Sequence, residues 1–181
     1  MDSIRGKLLI AGPTLGDPNF WRTVVLVVEH NEEGAMGLVL NRPSETTVGE
    51  AVPQLAELVD PGDDVLVGGP VQQSGVIVLA EFEDPAEAAM IAFEHVGIVG
   101  TTSEVIEHPA GVRAARAFAG HAGWGPGQLD DEVQRGDWIV EPARRNDAFA
   151  AEPAELWPDV LTRKGGSYAL IARMPADPSL N

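Results

Sequence analysis

The chain has no cysteine. Any chemistry must therefore rest on histidine, arginine, carboxylate, hydroxyl or aromatic side chains, without thiolates, disulfides or Cys-ligated metals. His121 is the first candidate, lying in Gly120-His121-Ala122-Gly123-Trp124. An imidazole titrates near neutrality and suits general acid–base work; the same ring can cap a turn or stack on Trp124. The Trp124 indole offers a broad apolar face and one donor, fit for core packing or for a ligand platform. Gly125-Pro126-Gly127 turns the chain sharply into a segment opened by Gln128, with Asp130 and Asp131 close behind. Carboxylates there suit the positive end of a helix and leave little room for a phosphate.

A second group surrounds the first strand pair. Arg22 and Arg42 flank it, with Asn41 beside Arg42 and His30 at the end of the first strand. Each guanidinium is a planar fork that can clamp internal carbonyls and carboxylates or meet an anionic ligand. Neighbouring residues on a strand face opposite ways, so Glu29 and His30 do not form a pair by sequence alone. His95 and His108 have no companion at metal-ligand spacing, and no HExxH, HxH or G-x-S-x-G is present. Gly68-Gly69-Pro70 lacks the spacing and lysine of a phosphate loop and reads as a bulge or a close approach of two backbones. No catalytic set, metal or cofactor is expected.

The elements that position these residues follow from hydrophobic pattern. Segments 7–11, 23–30 and 35–41 read as strands. The continuous β-branched run TVVLVVEH is a strand buried on both faces, hairpinned to the next through Asn31–Gly34. Segment 46–60 reads as helical, regular from about Val52, with Leu55, Leu58 and Val59 on one face. Strands are expected at 65–71 and 75–82, a helix at 85–96, a short strand at 96–102 and a helical turn or two at 103–108. Segment 111–120 fits helix or strand. A strand at 137–141 and a helix at about 153–162 follow, the latter with Leu156, Trp157, Val160 and Leu161 inward. SYALIARM is a last strand or folds against the core, and the tail from about 175 is expected to be loose. Strands bunched in hairpins with helices between them indicate an α+β fold.

Length and charge bound the rest. A chain of 181 residues with 44% hydrophobic content suits one domain, residues 1–181. The formal net charge of −16 opposes direct nucleic-acid binding, since no basic run is segregated from the acidic surface. No apolar run approaches the roughly 18 residues of a membrane span, and the N-terminal run is too short for a signal sequence. A cytoplasmic location is expected.

Three blocks resemble the YqgE/AlgH family of bacterial proteins. They are LGDPNFWRTVVLVVEHNEEGAMGLVLNRP within Gly12–Pro43, VGGPV at 67–71, and GHAGWGPGQLDDEVQRGDWIV at 120–140 with LWPDVL following. The matching positions are Asp17, Pro18, Phe20, Arg22, His30, Asn41, Arg42 and Pro43, then Gly69, Pro70, Gly123, Trp124, Gly127, Gln128, Leu129 and Glu132. The resemblance implies an α+β fold whose mixed, bifurcated sheet closes into a pseudo-barrel with flanking helices, and it makes 114–119 a strand. It supplies no established enzyme activity and no known cofactor, and the AlgH name comes with a proposed role in regulating exopolysaccharide synthesis and transcription. His121 departs from the usual tyrosine, which argues against an obligatory role for either ring.

The expected function is accordingly that of a non-enzymatic protein binding a protein partner or small ligand, with an indirect regulatory role. The candidate contacts are Arg22, His30, Asn41, Arg42, His121, Trp124 and Gln128, none of them assigned to catalysis. The alternative is an enzyme or sensor acting on a small polar or anionic metabolite through Arg22, His30 and Arg42. A third is an assembly role, which an exposed patch at Trp124 or Trp157 would favour.

Overall fold

The computed structural model describes residues 1–100 and 109–176. The expected turns at 103–108 and most of the expected loose tail lie outside those residues. Ten strands form one mixed sheet. They are β1 (Lys7–Ala11), β2 (Val24–Asn31), β3 (Gly34–Val39), β4 (Pro43–Thr47), β5 (Asp64–Val67), β6 (Val71–Phe82), β7 (Met90–Phe93), β8 (Val96–Ile98), β9 (Val112–Trp124) and β10 (Trp138–Pro142). Among the described residues five helices flank them: α1 (Val48–Ala51), α2 (Gln128–Gln134), α3 (Arg145–Ala148), α4 (Leu156–Lys164) and α5 (Ser167–Ile171).

The main path of the sheet runs β10-β1-β2-β3-β9-β6-β8-β7, and β5 branches from β9 carrying β4 with it. The mixed α+β character and the branching follow expectation, but the pseudo-barrel does not. Closure requires hydrogen bonds between the two terminal strands. Among the described residues β10 and β7 form no ladder with each other, so the sheet is open.

The continuous apolar run in β2 is explained by burial on both faces. Leu8, Ile10, Val24, Leu26 and Val28 enter one core cluster, with Phe118, Val160 and Leu161. Their alternate neighbours Leu9, Ala11, Val25 and Val27 enter another, with Trp124, Leu129 and Trp138. Each fully buried Leu or Val contributes roughly 1.5–3 kcal/mol relative to exposure, which makes this strand pair the hydrophobic spine. A third cluster, around Val48, Val59, Val78 and Phe82, lies beside the β4–β5 branch.

Residues 85–96 are not a helix. Asp84 accepts from the Ala86 N–H at 3.0 Å and caps a single 3-10 turn at Pro85–Glu87. The chain then forms the β7–β8 hairpin, turning at Glu94 with φ of 46°. Leu79–Glu81 of β6 offers an edge that β8 completes, and Ala92 and Val96 are buried in the main core. That tertiary pairing outweighs alanine's helix propensity. Segment 46–60 is also broken up. Thr47 caps a helix that ends at Ala51, and Pro53 opens a separate 3-10 turn. Leu55 and Val59 are buried with Leu58 packed beside them, so the predicted face holds although the regular helix does not. Segment 111–120 lies within the 13-residue strand β9, as the family resemblance implied. SYALIARM begins with helix α5 and packs on the core through Tyr168, Ile171 and Ala172.

Gly68-Gly69-Pro70 is a close approach of two backbones. A Cβ on Gly69, at φ +152°, would lie 2.2 Å from the His121 carbonyl carbon. Gly127, which precedes α2 at φ +71°, has open space where its Cβ would be. Gly69→Ala is therefore expected to cost roughly 3 kcal/mol or more, from backbone strain and overpacking together. Gly127→Ala should cost only about 1 kcal/mol, from backbone strain alone. Urea melts of the two variants check the order, and equal losses would contradict it.

Candidate functional site

Residues 12–23 form the loop that carries the most exposed tryptophan, Trp21, at 46% exposure. The loop is held by local turns and by the strand end beside it. Asp17 accepts from the Asn19 N–H at 2.9 Å, an Asx turn of the kind that Asp-Pro favours. Asn41 accepts from the Val24 N–H and donates to the Arg22 carbonyl, both at 2.9 Å. Arg42 donates to the carbonyls of Asn19, Pro18 and Trp21, the last at 3.0 Å. Burial pulls the Arg42 pKa below the ordinary arginine value, against the field of Asp17. Asn41 and Arg42 are thus scaffold donors and acceptors, and their product is the placement of Trp21 and Arg22.

Arg22 itself has φ of +53°, an uncommon conformation for a residue with a side chain. Its guanidinium lies 4.6 Å from the ring centre of buried Trp157 and 4.9 Å from that of Trp21. Trp157, on α4, is fixed by donating its indole N–H to the Ala11 carbonyl at 3.1 Å. Arg22 Nη2 donates to the Met174 carbonyl at 2.5 Å. Between these groups lies a cavity of about 170 Å³, lined also by Gly12, Pro13, Ile171, Pro175 and Ala176.

His30 and Arg42 do not line this cavity. His30 accepts the Ile4 N–H on Nδ1 at 3.1 Å, so in the neutral ring the proton sits on Nε2. Nε2 stands 3.4 Å from Asp130 Oδ1, within ion-pair range but without hydrogen-bond geometry. The partner of His30 is therefore a carboxylate at the start of α2, and not Glu29. Arg22, His30 and Arg42 are thus not gathered around one cavity.

Trp124 and Gln128 meet through Glu132. One carboxylate oxygen, Oε2, accepts the indole N–H of Trp124 and that of Trp138, each at 2.8 Å. Its other oxygen accepts from Gln128 Nε2 at 3.1 Å, while Gln128 Oε1 accepts from the Gly125 N–H at 3.0 Å. Phe20 stacks on Trp124 at 6.0 Å and meets Trp138 edge-on at 5.7 Å, tying this cluster to the loop of Arg22. Trp124 and Trp157 are 6% and 4% exposed, so neither supplies the surface patch that an assembly role would need. His121 sits on β9 opposite Val71, and burial lowers its pKa. Among the described residues no cluster of three or more His, Asp or Glu side chains is placed to hold a metal ion.

Sequence reasoning left Trp21, Met174 and Asp130 out of the candidate set and gave Glu132 no role. The signal for Trp21 was local, a tryptophan beside an arginine in a turn-rich loop. The others are joined only by the fold, Met174 to Arg22 across 152 positions.

An open, branched ten-stranded sheet with helices on its flanks, and a loop clamped by an Asn-Arg pair, define the structural class. An AlgH-like family model matches residues 8–169, and the chain belongs to this family, UPF0301 or YqgE/AlgH. A UPF0301 protein of Streptomyces coelicolor is 41% identical over 189 residues, covering 100% of this chain and 97% of its own. One from Thermobifida fusca is 41% identical over 192 residues, covering 99% and 96%. A Corynebacterium diphtheriae crystal structure is similar at a TM-score of 0.87 and 29% identity, covering 96% of this chain and 94% of that one. The solution structure of the Pseudomonas aeruginosa AlgH protein is similar at 0.72 and 31%, covering 98% of each.

Two measurements test the chemistry of these side chains. Glu132→Ala leaves two indole donors without their acceptor and is expected to destabilise by about 2–3 kcal/mol, whereas Glu132→Gln keeps an acceptor oxygen and should cost about 1 kcal/mol. Urea melts followed by tryptophan emission distinguish them. His121 has a folded-state pKa below the ordinary 6.5, so the unfolded chain takes up this proton first as pH falls. The stability contributed by neutral His121 is complete above that value and is lost as pH drops through the folded-state value. His121→Asn should flatten the loss of stability between about pH 8 and about pH 5.5, read as urea midpoints.

Proposed function

We propose that this is a non-catalytic binding protein whose working surface is the Trp21–Arg22 loop and the cleft beneath it. The carrying observation is the Arg22 guanidinium, set against two indoles and turned toward a main-chain carbonyl in a cavity of about 170 Å³. Concave, partly apolar sites with a few placed polar groups are the usual form of a recognition site. Trp124 and Gln128 support this surface from behind through Glu132 and the Phe20–Trp124–Trp138 cluster, and His121 stands apart from it, opposite Val71. The regulatory role comes from the family resemblance alone. A net charge of −16 favours an indirect route through a protein partner over contact with a polyanion. The enzyme alternative draws no support from Arg42 and His30, which are engaged with loop carbonyls, the Ile4 N–H and Asp130.

Photo-crosslinking checks the assignment. With p-benzoylphenylalanine in place of Pro13, an exposed cavity-lining residue, a discrete adduct is expected in cells, lost when Arg22→Ala is added. An adduct unaffected by Arg22→Ala, or no adduct at all, would count against the cleft. Sub-micromolar, sequence-specific DNA binding at physiological salt would remove the indirect route.

A further inference from the structure

The C-terminal segment forms one wall of the cleft and meets Arg22 there. Helix α5 stops at Ile171, and the chain turns so that Met174, Pro175 and Ala176 line the cavity beside Trp21 and Pro13. The polar anchor is a main-chain one, the Met174 carbonyl on Arg22 Nη2 at 2.5 Å. The Met174 side chain remains 50% exposed, and Leu170 on the preceding turn is 66% exposed. The segment is thus held by its backbone and by proximity, with little burial of its large side chains. Such a hold is displaceable. Proline supplies a preset, extended backbone that aromatic grooves recognise at low entropic cost. Trp157 and Trp21 flank the Arg22 guanidinium and hold it beside the cavity.

We infer that Arg22, with Trp21 and Trp157, receives an extended, proline-containing peptide segment of a partner protein, and that Met174–Ala176 of the same chain, which walls the cleft and holds Arg22 through the Met174 carbonyl, is its intramolecular competitor for that guanidinium. This rests on the binding reading above. A tethered segment acts at an effective concentration on the order of 1 mM. If the tail segment's own affinity for the open cleft is about 100 μM, such a competitor weakens the apparent affinity of any incoming peptide roughly ten-fold. The partner segment gains access by exceeding that competition, and the tail sets the threshold.

The test uses the peptide ARMPA, matching residues 172–176, acetylated, amidated and fluorescently labelled. Fluorescence anisotropy compares the full chain with a chain ending at Arg173. The shortened chain is expected to bind the peptide about ten-fold more tightly. Adding Arg22→Ala to it should abolish binding, and changing the peptide's proline to alanine should weaken it. Pro175→Gly in the full chain loosens the tail without removing it and should raise affinity by a smaller factor, which keeps the test open if the shortened chain misfolds. Equal affinity for the full and shortened chains, no binding to a folded shortened chain, or indifference to Arg22→Ala would overturn the inference. So would conversion of a dimer to a monomer on shortening, because the tail would then act between copies. If the peptide fails while the Arg22-dependent adduct at position 13 persists, this inference falls and the binding reading stands. If that adduct is itself insensitive to Arg22, the binding reading falls.

Discussion

A β-strand has two hydrogen-bonding edges, and β9 serves three neighbours with them. Along one edge it pairs antiparallel with β6 from Val112 to Ala119 and again at His121. Along the other it pairs in parallel with β5 at Phe118 and Ala119, then antiparallel with β3 from Ala122 to Trp124. The change of partner falls at Gly120 and His121. There the backbone of Gly68–Gly69 passes so close that no side chain fits between. This exchange makes the sheet branch. The openness lies elsewhere, at β10 and β7, which form no ladder with each other among the described residues. Gly68, Gly69 and Gly120 are therefore explained by backbone packing before any ligand is considered.

The same strand end delivers the candidate surface. Trp124 closes β9, and its indole shares Glu132 with Trp138 at the start of β10. That shared carboxylate fixes two rings against which Phe20 packs, and Phe20 belongs to the loop whose carbonyls Arg42 gathers. Charge-assisted hydrogen bonds of this kind are worth about 1.5–3 kcal/mol each, enough to hold a short irregular loop that buries little of itself. Arg22 is left with its unusual backbone angle and a cation between indoles because everything around it is committed elsewhere. Strain retained at one residue of a well-braced loop is a pattern that accompanies binding sites.

Much of the scaffold was legible in the sequence. The run TVVLVVEH announces a strand buried on both faces, and the Leu156–Leu161 spacing announces the inward face of α4; both hold. The failures have two causes, one tertiary and one local. Residues 85–96 carry helical propensity that an available sheet edge overrules, and 46–60 carries a helical stripe that Pro53 breaks. The closed barrel came from the family resemblance, and strand order corrects it. The site was legible only in halves. Arg22, Asn41 and Arg42 stand out as residue types, but nothing local says that one guanidinium grips loop carbonyls while the other faces a cavity. His30 pairs with Asp130 and Arg22 with Met174, contacts between residues distant in sequence that no periodicity encodes.

The division between the two arginines bears most directly on function. A guanidinium that gathers several carbonyls of its own chain, as Arg42 does, has its donors satisfied and its position over-determined. It braces the loop and offers little to a newcomer. Arg22 makes one main-chain hydrogen bond, to a segment near the end of the described chain whose methionine side chain is half exposed. Exchanging that carbonyl for another of the same kind costs little, because the cation is already oriented by Trp157 and partly withdrawn from water. A carboxylate would compete more strongly than a carbonyl for the same fork, yet it would approach a protein of net charge −16. Long-range repulsion and short-range attraction thus oppose one another for an anion, whereas for a neutral peptide backbone only the attraction remains. On the proposed binding reading, the balance favours a peptide over an anionic metabolite at this cleft.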